Sequence, residues 1–390
     1  MSELWADIGF KSINHYGEQL CGDSTELIRK ENGEDILVLA DGMGSGVKAS
    51  ILSTLTSKII STMVSEGLSI NECVSTVAAT LPVCAERNAA YSTFTVISIK
   101  DGCKAEIIQY DNPAVIMIRN GDVFDYEKEE LLIESKKIYK SSIGLQEDDV
   151  LTVISDGCPY AGKTLSYNYD WKWEDIAEFM RVISSAGYSA KSLSTMLVDE
   201  VEKLYGYQPG DDATACVVRI KKRNTVNVLF GPPKDPEDNE KVMSDFFGTK
   251  GMHIVCGGTT ARIAADHLGK AVIPKANTED GPVPPMSKID GVDLVTEGVI
   301  TMGRVLEYVK DYNGENRLFE EWSYKGNGAA RIARALIDEA TDVSFFAGTA
   351  VNPAYQSPDI PLSLNLKLNI VKELAGNLKE MGKRVSVKYC

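Results

Sequence analysis

Four short acidic motifs stand beside glycine where apolar runs meet loops. They are Gly22-Asp23, Asp41-Gly42-Met43-Gly44, Ser155-Asp156-Gly157 and Gly210-Asp211-Asp212-Ala213-Thr214. An Asp-Gly pair after a buried strand is usually only a turn, so each motif alone is weak. Asp41, Asp156 and Asp211 nevertheless all fall where a strand should end, and we expect folding to gather them at one sheet edge. Gathered carboxylates repel one another unless a cation lies between them.

The residue types restrict which metal such a cluster could hold. The chain has 3 histidines, so a histidine-rich zinc centre is hard to build. Metal chemistry must therefore rest on carboxylates, which favours the hard cations Mg²⁺ and Mn²⁺. Two such ions about 3.5 to 4 Å apart can generate a hydroxide and clamp a phosphoryl group.

In this order, the motifs resemble those of the metal-dependent protein phosphatases (PPM, type 2C), in particular the bacterial branch like the stage II sporulation protein E phosphatase domain. The resemblance includes Asn112-Pro113-Ala114 and covers about residues 1–222. It implies an αββα sandwich of two antiparallel sheets flanked by helices, with two ions of Mn²⁺ or Mg²⁺ at one rim.

The resemblance also implies roles for single residues. Asp41 would bridge the two ions and the Gly42 carbonyl would bind one of them. Asp156 and Asp211 would complete the other, and Asp23 would hold metal-bound water. Asp111 falls where some relatives bind a third ion, although an Asx turn is an equally good explanation.

The activity implied by the family is hydrolysis of phosphoserine or phosphothreonine on a protein substrate, by direct attack of a metal-bound water. The catalytic residues would be Asp23, Asp41, Asp156 and Asp211. Two departures matter: Met43 stands where many eukaryotic relatives have a histidine, and Glu18 where they have an arginine that grips phosphate. These departures keep open a second hypothesis, a pseudophosphatase that binds phosphoproteins as a scaffold.

The elements that would position this site follow from hydrophobic periodicity. Apolar residues at helical spacing predict a helix over 44–66 and another from about 69 to 88, and a long helical region spans about 173–204. Strands are predicted at 35–40, 150–154 and 214–220, and three more at 93–99, 105–110 and 114–119 look like an antiparallel meander. Runs of strands and paired helices indicate an α+β layered fold.

The pattern changes after Lys221-Lys222-Arg223, which we take as the boundary between domains at 1–222 and 223–390. Beyond it, strands and helices alternate, which predicts a three-layer, Rossmann-like α/β domain with a mostly parallel sheet and a regulatory or ligand-binding role. Gly257-Gly258-Thr259-Thr260 opens a helix and could bind a small anionic ligand, or serve only as steric relief at a turn. A third hypothesis makes this half an enzyme acting on a phosphorylated small molecule.

Composition sets the remaining expectations. Lys plus Arg total 41 and Asp plus Glu total 56, for a net charge of -15, which argues against nucleic acid or an anionic membrane as partner. No apolar run reaches the length of a membrane span, and Glu3 and Asp7 stand where a secretory signal would carry lysines. We therefore expect a cytoplasmic protein with reduced cysteines.

Overall fold

A computed structural model describes residues 3–30, 32–80, 92–133, 136–161, 171–276, 278, 280–350 and 362–390. The chain divides into two compact units, Met1–Lys222 and Arg223–Cys390. Among the described residues, no helix combines the length and the apolar character needed to cross a membrane.

The N-terminal unit contains two antiparallel sheets. The six-stranded sheet has the order β2-β3-β4-β5-β9-β8, with strands β2 (Asp23–Arg29), β3 (Glu34–Gly42), β4 (Ser92–Lys100), β5 (Lys104–Tyr110), β8 (Glu129–Ile133) and β9 (Lys136–Gly144). The five-stranded sheet has the order β1-β11-β10-β6-β7, with strands β1 (Leu4–Ile13), β6 (Ile116–Arg119), β7 (Asp122–Val123), β10 (Val150–Ile154) and β11 (Ala213–Lys222).

Helices cover the outer faces of both sheets. They are α1 (Gly46–Ser65), α2 (Ile70–Thr80), α3 (Gly157–Tyr160), α4 (Trp173–Ser184) and α5 (Ala190–Leu204). Strand β3 shows how the layers form: Leu37 and Leu39 enter the core between the sheets, whereas Ile36 and Val38 pack with α1 and α2. Alternate side chains of a strand point to opposite faces, so this run is apolar throughout because both faces are buried. The predicted αββα sandwich is confirmed.

One local prediction was wrong, and another is refined by the structure. The strand predicted at 114–119 does not continue a meander: β6 pairs with β10 in the other sheet. Asp111 has a left-handed backbone with φ 55°, and Pro113 cannot donate to a ladder, so the chain leaves the first sheet there. The helical region over 173–204 is two helices, separated by a turn at Gly187 with φ 79°. The second predicted helix ends at Thr80, and residues 81–88 of that prediction lie outside the described residues.

Helix α1 buries an unusual face. Its buried residues are mostly small or hydroxylated: Gly46, Ala49, Ser53, Thr56, Ser57, Ile60 and Ser61. Hydroxyls such as that of Thr56 donate to carbonyls of the same helix, here Leu52 O at 2.8 Å, so their burial leaves no donor unpaired. The small face permits close approach to β3, because a Cβ on Gly42 would lie 2.1 Å from the Ala49 carbonyl oxygen. Helix α1 is thus held against the strand end that carries Asp41.

The C-terminal unit is built on one seven-stranded mixed sheet in the order β14-β15-β16-β13-β12-β17-β18. Its strands are β12 (Thr225–Phe230), β13 (Met252–Cys256), β14 (Ile273–Pro274), β15 (Ser287–Lys288), β16 (Leu294–Thr296), β17 (Asp342–Ala347) and β18 (Arg384–Tyr389). Strands β16, β13, β12, β17 and β18 are parallel, and β14 and β15 add an antiparallel edge. The predicted mostly parallel sheet is confirmed.

Helices lie on both faces of this sheet: α6 (Asn239–Phe247), α7 (Gly258–Leu268), α8 (Val299–Asn313), α9 (Phe319–Ser323), α10 (Gly328–Arg334) and α11 (Leu362–Glu380). Helices α6 and α7 pack on one face with Leu229 and Val255, and α8, α10 and α11 pack on the other with Val228 and Ile254. The helix predicted to run on to Glu339 becomes a π-helical segment at Ala335–Glu339. The unit therefore has three layers, with its parallel strands all ending at one edge.

Candidate functional site

Two of the predicted aspartates are direct neighbours across a strand pair. Asp23 begins β2 and Asp41 lies at the end of β3, and the register of the antiparallel pair sets them opposite each other. Asp23 is 7% exposed, and its Oδ1 is buried without a hydrogen-bond partner in the described part of the chain. The cross-strand register therefore fixes two carboxylates side by side.

A short network of hydrogen bonds ties the third and fourth motifs to Asp23. The Ser155 hydroxyl donates to Asp23 Oδ2 at 2.7 Å and accepts the Thr214 N–H at 2.9 Å. The Ser155 N–H in turn donates to the Thr214 carbonyl at 3.0 Å. Ser155 precedes Asp156, and Thr214 follows Asp211 by three residues. This network therefore brings the C-terminal end of β10 and the N-terminal end of β11 to the N-terminal end of β2.

Asp212 belongs to the same group of aspartates and is almost fully buried. It is 3% exposed, its Oδ1 accepts the His15 backbone N–H at 3.0 Å, and its Oδ2 is a second buried oxygen without a partner in the described part of the chain. Its own N–H donates to Asp211 Oδ1 at 2.9 Å. A Cβ on Gly22 would lie 2.6 Å from Asp212 Oδ2, and one on Gly157 would lie 2.0 Å from the Asp212 carbonyl oxygen. These two glycines are needed because Gly157 packs against the backbone of Asp212 and Gly22 against its carboxylate.

The carboxylates perturb one another. Burial raises the pKa of Asp41, and the charges of Asp23, Asp156 and Asp211 raise it further. Burial also raises the pKa of Asp23, although hydrogen bonds from Thr214 and Ser155 oppose that shift. Burial followed by the charge of Asp156 raises the pKa of Asp211 to about 6. The site therefore disfavours its own negative charge unless a cation is supplied.

The donor set fits a hard divalent cation. Aspartate oxygens are the ligands that Mg²⁺ and Mn²⁺ prefer, and the unpartnered Oδ1 of Asp23 and Oδ2 of Asp212 leave buried acceptors to be satisfied. Within the described ranges, no three His, Cys, Asp or Glu side chains already form an arrangement that could hold an ion. The chemistry of these residues therefore suits Mg²⁺ or Mn²⁺.

The structure brings Asp23, Asp41, Asp156 and Asp211 together, but from two sheets. Asp23 and Asp41 lie on the six-stranded sheet, whereas Asp156 and Asp211 flank strands of the five-stranded sheet, so the expectation of one sheet edge was wrong. The sandwich aligns the rims of both sheets at this end. Gly42 follows Asp41, and its N–H donates to the Gly22 carbonyl at 3.1 Å.

Asp111 lies in the loop after β5 and is exposed. Its neighbour Asn112 accepts a hydrogen bond from the Thr93 hydroxyl, and Thr93 lies opposite Asp41 in the β3–β4 pair. The loop is thus anchored beside the acidic site, while the positive φ of Asp111 suits a turn. Its assignment to a third ion stays a prediction.

Sequence reasoning missed Asp212 as a member of the site, as well as the connecting roles of Ser155 and Thr214. All three lie inside the quoted motifs. The adjacent pair Asp211-Asp212 was a usable signal, because successive side chains of an extended segment point to opposite faces and one of the two aspartates then faces inward. The Ser155 contact to Asp23 spans 132 residues and has no local signature.

In the C-terminal unit, Gly257 to Thr260 lie where the sequence predicts, at the turn from β13 into α7. Gly257 has φ 115°, which favours glycine, and it precedes α7 without a side-chain cap. Thr260 is 1% exposed, and its Oγ1 has no partner among the described residues.

Comparison with known families agrees with this geometry. Residues 31–221 match the family model for stage II sporulation protein E (SpoIIE). The chain therefore carries a SpoIIE-type phosphatase domain of the PP2C class over about these residues, and the C-terminal region has no family assignment. No curated protein is similar enough to the chain to be counted as a relative.

Three solved structures illustrate the likeness. The phosphatase domain of SpoIIE from Bacillus subtilis is 20% identical, with 57% of this chain and 95% of that chain covered and a TM-score of 0.44. RsbX in complex with magnesium is 18% identical, with 57% and 100% covered and a TM-score of 0.40. The serine/threonine phosphatase of S. agalactiae is 15% identical, with 55% and 99% covered and a TM-score of 0.40.

Proposed function

We propose that this protein is a metal-dependent serine/threonine protein phosphatase whose C-terminal domain senses a ligand or recruits the substrate. The observation that carries the proposal is the convergence of Asp23, Asp41, Asp156 and Asp211 at one rim of the sandwich. Two strand registers and the Ser155 network support it. A cluster of mutually repelling, partly buried carboxylates is costly for stability, and a function that needs a cation accounts for it.

The proposed ligands of two Mn²⁺ or Mg²⁺ ions are Asp41, the Gly42 carbonyl, Asp156 and Asp211, with Asp23 directing water at the site. When bound, the ions would supply the positive charge that neutralises phosphoryl oxygens and activates water. The substrate would be a protein carrying phosphoserine or phosphothreonine. The assignment of Asp111 to a third ion belongs to the same proposal.

The chain's own residues do the positioning. Ser155 holds Asp23 through Oδ2, which leaves Oδ1 free to accept, and Thr214 fixes Ser155 in turn. Supporting hydrogen bonds of this kind orient ligands and water in metal sites. Helix α1 begins at Gly46, directly after the Asp41 loop, so its first N–H groups lie close to the site and favour an anionic substrate.

Glu18 and Met43 stand where many eukaryotic relatives have an arginine and a histidine, and their presence motivates a second candidate, a pseudophosphatase or phosphoprotein-binding scaffold without turnover. A Cβ on Gly46 would lie 2.6 Å from Glu18 Oε2, so this carboxylate stands at the N-terminus of α1, where a substrate phosphate would gain most. Met43 is 39% exposed next to the site and offers no proton. A scaffold would need neither an arginine nor an acid.

The test is phosphate release from a phosphopeptide by the full chain with Mn²⁺, and again with excess chelator. The phosphatase proposal expects release that needs the metal. Equal rates with and without chelator would contradict metal-dependent catalysis. Calorimetry distinguishes the second candidate, because a pseudophosphatase would bind the phosphopeptide and release no phosphate at saturating Mn²⁺.

A further inference from the structure

Two lysines are buried in the C-terminal unit, and they differ in their partners. Lys383 is 5% exposed, and its Nζ donates to the carbonyls of Ile337 at 2.8 Å and Ala340 at 2.5 Å, at the end of the π-helical segment. Lys367 on α11 is 7% exposed, and its Nζ has one long contact, 3.5 Å to the Ala350 carbonyl, among the described residues. Lys383 is a satisfied structural lysine, whereas Lys367 has no anionic partner among the residues that the structure describes.

Lys367 stands at a specific place in the sheet. The order β16-β13-β12-β17-β18 means that successive connections reverse direction between β12 and β17. In open α/β sheets, ligands bind beyond the carboxyl ends of the strands at such a point. A Cβ on Gly231, the residue after β12, would lie 2.5 Å from Lys367 Nζ, and one on Gly348, the residue after β17, would lie 2.2 Å from the Gly231 carbonyl oxygen. The ammonium group therefore lies over the switch point.

The adjoining loop supplies hydrogen-bond donors at the same edge. The Gly231 N–H donates to the Cys256 carbonyl at 3.3 Å, which joins the loop after β12 to Gly257. Helix α7 begins there without a side-chain cap, so its first N–H groups are open, and Thr260 Oγ1 is buried without a partner in the described ranges. A Cβ on Gly257 would lie 3.1 Å from that hydroxyl oxygen, so the hydroxyl faces the opening turn of the helix.

We propose that the C-terminal domain binds the phosphate group of a small phosphomonoester at this edge, with Lys367 as its cation and the N-terminal turn of α7, including the Thr260 hydroxyl, as its donors. A phosphate offers several strong acceptors to a lysine, a hydroxyl and backbone N–H groups together. Glu297 lies near Gly258, with its oxygens 3.7 and 3.8 Å from the position of a Cβ there. That carboxylate weakens the attraction of an anion to the first turn of α7, as Glu18 does at α1, so binding depends chiefly on Lys367.

Energetics support an anionic ligand. Removing the Lys367 ammonium group from water costs free energy, and its one long hydrogen bond within the described residues does not compensate for that cost. Burial accordingly lowers the pKa of Lys367. An anion bound beside it would restore the lost interaction. This inference deepens the sensing role proposed for the domain, and it holds whether or not the N-terminal domain hydrolyses phosphoproteins.

The test is calorimetric titration of the full-length protein with inorganic phosphate and with ribose 5-phosphate, in chelator, so that no metal at the acidic site contributes. The variants are Lys367→Met, Lys367→Arg and Thr260→Val, and the matched control is Lys372→Met, an exposed lysine on the same helix. We expect saturable binding that weakens by about tenfold or more in Lys367→Met and by a few-fold in Thr260→Val. Lys367→Arg should retain binding, and Lys372→Met should match the parent protein.

A thermal melt in phosphate-free buffer gives a second readout. Removal of an unpaired buried cation should leave the midpoint of Lys367→Met equal to or above that of the parent, whereas Lys383→Met should melt lower because two carbonyls lose their donor. Unchanged affinity in folded Lys367→Met, or no saturable binding by the parent up to about 50 mM of either probe, would overturn the proposal. If Lys367→Met does not fold, unchanged affinity in Thr260→Val overturns the role of the α7 turn.

Discussion

The two units of this protein differ in the sign of the buried charge that lacks an ion-pair partner among the described residues. The N-terminal unit gathers Asp23, Asp41, Asp156 and Asp211 at one rim, where burial and the charges of neighbouring aspartates raise the pKa values of Asp23, Asp41 and Asp211. The C-terminal unit buries Lys367 with one long contact to a carbonyl. Each points to a ligand of the opposite charge, a cation in one unit and an anion in the other.

Each unit also contains a buried charge that is fully paired. Asp149 is 1% exposed and accepts from Arg119 Nε at 2.9 Å, Arg119 Nη2 at 2.6 Å and the Gln146 N–H at 2.8 Å. Lys383 is its counterpart in the C-terminal unit. Burial of a charged side chain therefore does not by itself indicate a binding site. A buried charge whose hydrogen bonds are all made belongs to the folded structure, whereas a buried charge without such partners indicates a ligand site.

The largest expected effect is on activity. Asp41→Asn should lower kcat/KM for a phosphopeptide by about a thousandfold or more, because a shared ligand of the ions would lose its charge. Asp125→Asn, an exposed aspartate of the same unit, is the matched control and should keep the parent rate. Initial rates in Mn²⁺ give kcat/KM for both variants. A parent-like rate in Asp41→Asn would show that Asp41 contributes no more to catalysis than the exposed Asp125.

Replacing Asp149, a carboxylate paired with Arg119, should change stability and leave activity unchanged. Asp149→Asn should lower the free energy of unfolding by about 2 to 4 kcal/mol, because Arg119 would lose a buried bidentate partner. The rate per folded molecule should stay at the parent value. Urea unfolding and an assay on the folded fraction measure the two quantities, and loss of activity without loss of stability would show that Asp149 belongs to the site.

The unpaired carboxylates predict an unusual pH dependence in chelator. Folding raises the pKa values of Asp23, Asp41 and Asp211, so the native state binds more protons than the unfolded state. The stability contribution of these groups is fully present below about pH 4 and is lost between that pH and their folded pKa values, so the share from Asp211 is gone once the pH passes about 6. Because Asp211 is partly exposed, we expect its share of the loss to be only about 1 to 2 kcal/mol.

Urea unfolding at several pH values measures how the free energy of unfolding changes with pH, which is the slope predicted here. Asp41→Asn should flatten it, and saturating Mn²⁺ should reverse it, because the metal binds the deprotonated carboxylates. Stability that rises with pH in chelator would contradict the placement of these groups.

The smallest effect concerns Glu18. Glu18→Gln should lower KM for a phosphopeptide by roughly twofold to fivefold at low salt, because a negative charge is removed from the N-terminus of α1. The difference should shrink at high ionic strength. Glu127→Gln, an exposed glutamate elsewhere in the unit, serves as the control. Equal KM values for Glu18→Gln and the parent would show that Glu18 does not hinder phosphate.

Much of the fold could be predicted because its signals are local. Strands β3 and β10 are apolar runs that end at Asp-Gly turns, β11 is a mostly apolar run that follows Gly210-Asp211-Asp212, and the alternation in the second half predicts parallel strands with helices between them. The motif aspartates were identifiable because each one ends or precedes such a run.

The remainder depends on contacts between distant parts of the chain. Helical spacing predicted α1, but not that Val47, Ile51 and Leu55 would be 60%, 54% and 42% exposed while serines are buried. That choice of face is set by the need to approach Gly42. The bond from His15 to Asp212 spans 197 residues, and Lys367 is distinguished from Lys383 only by which carbonyls reach its ammonium group.

Anomalous diffraction from a crystal of the full chain soaked in Mn²⁺ tests the central claim most directly. We predict two peaks of manganese density among the carboxylates of Asp41, Asp156 and Asp211, near Asp23. A fully soaked crystal with no manganese density there would show that these aspartates do not form a metal centre.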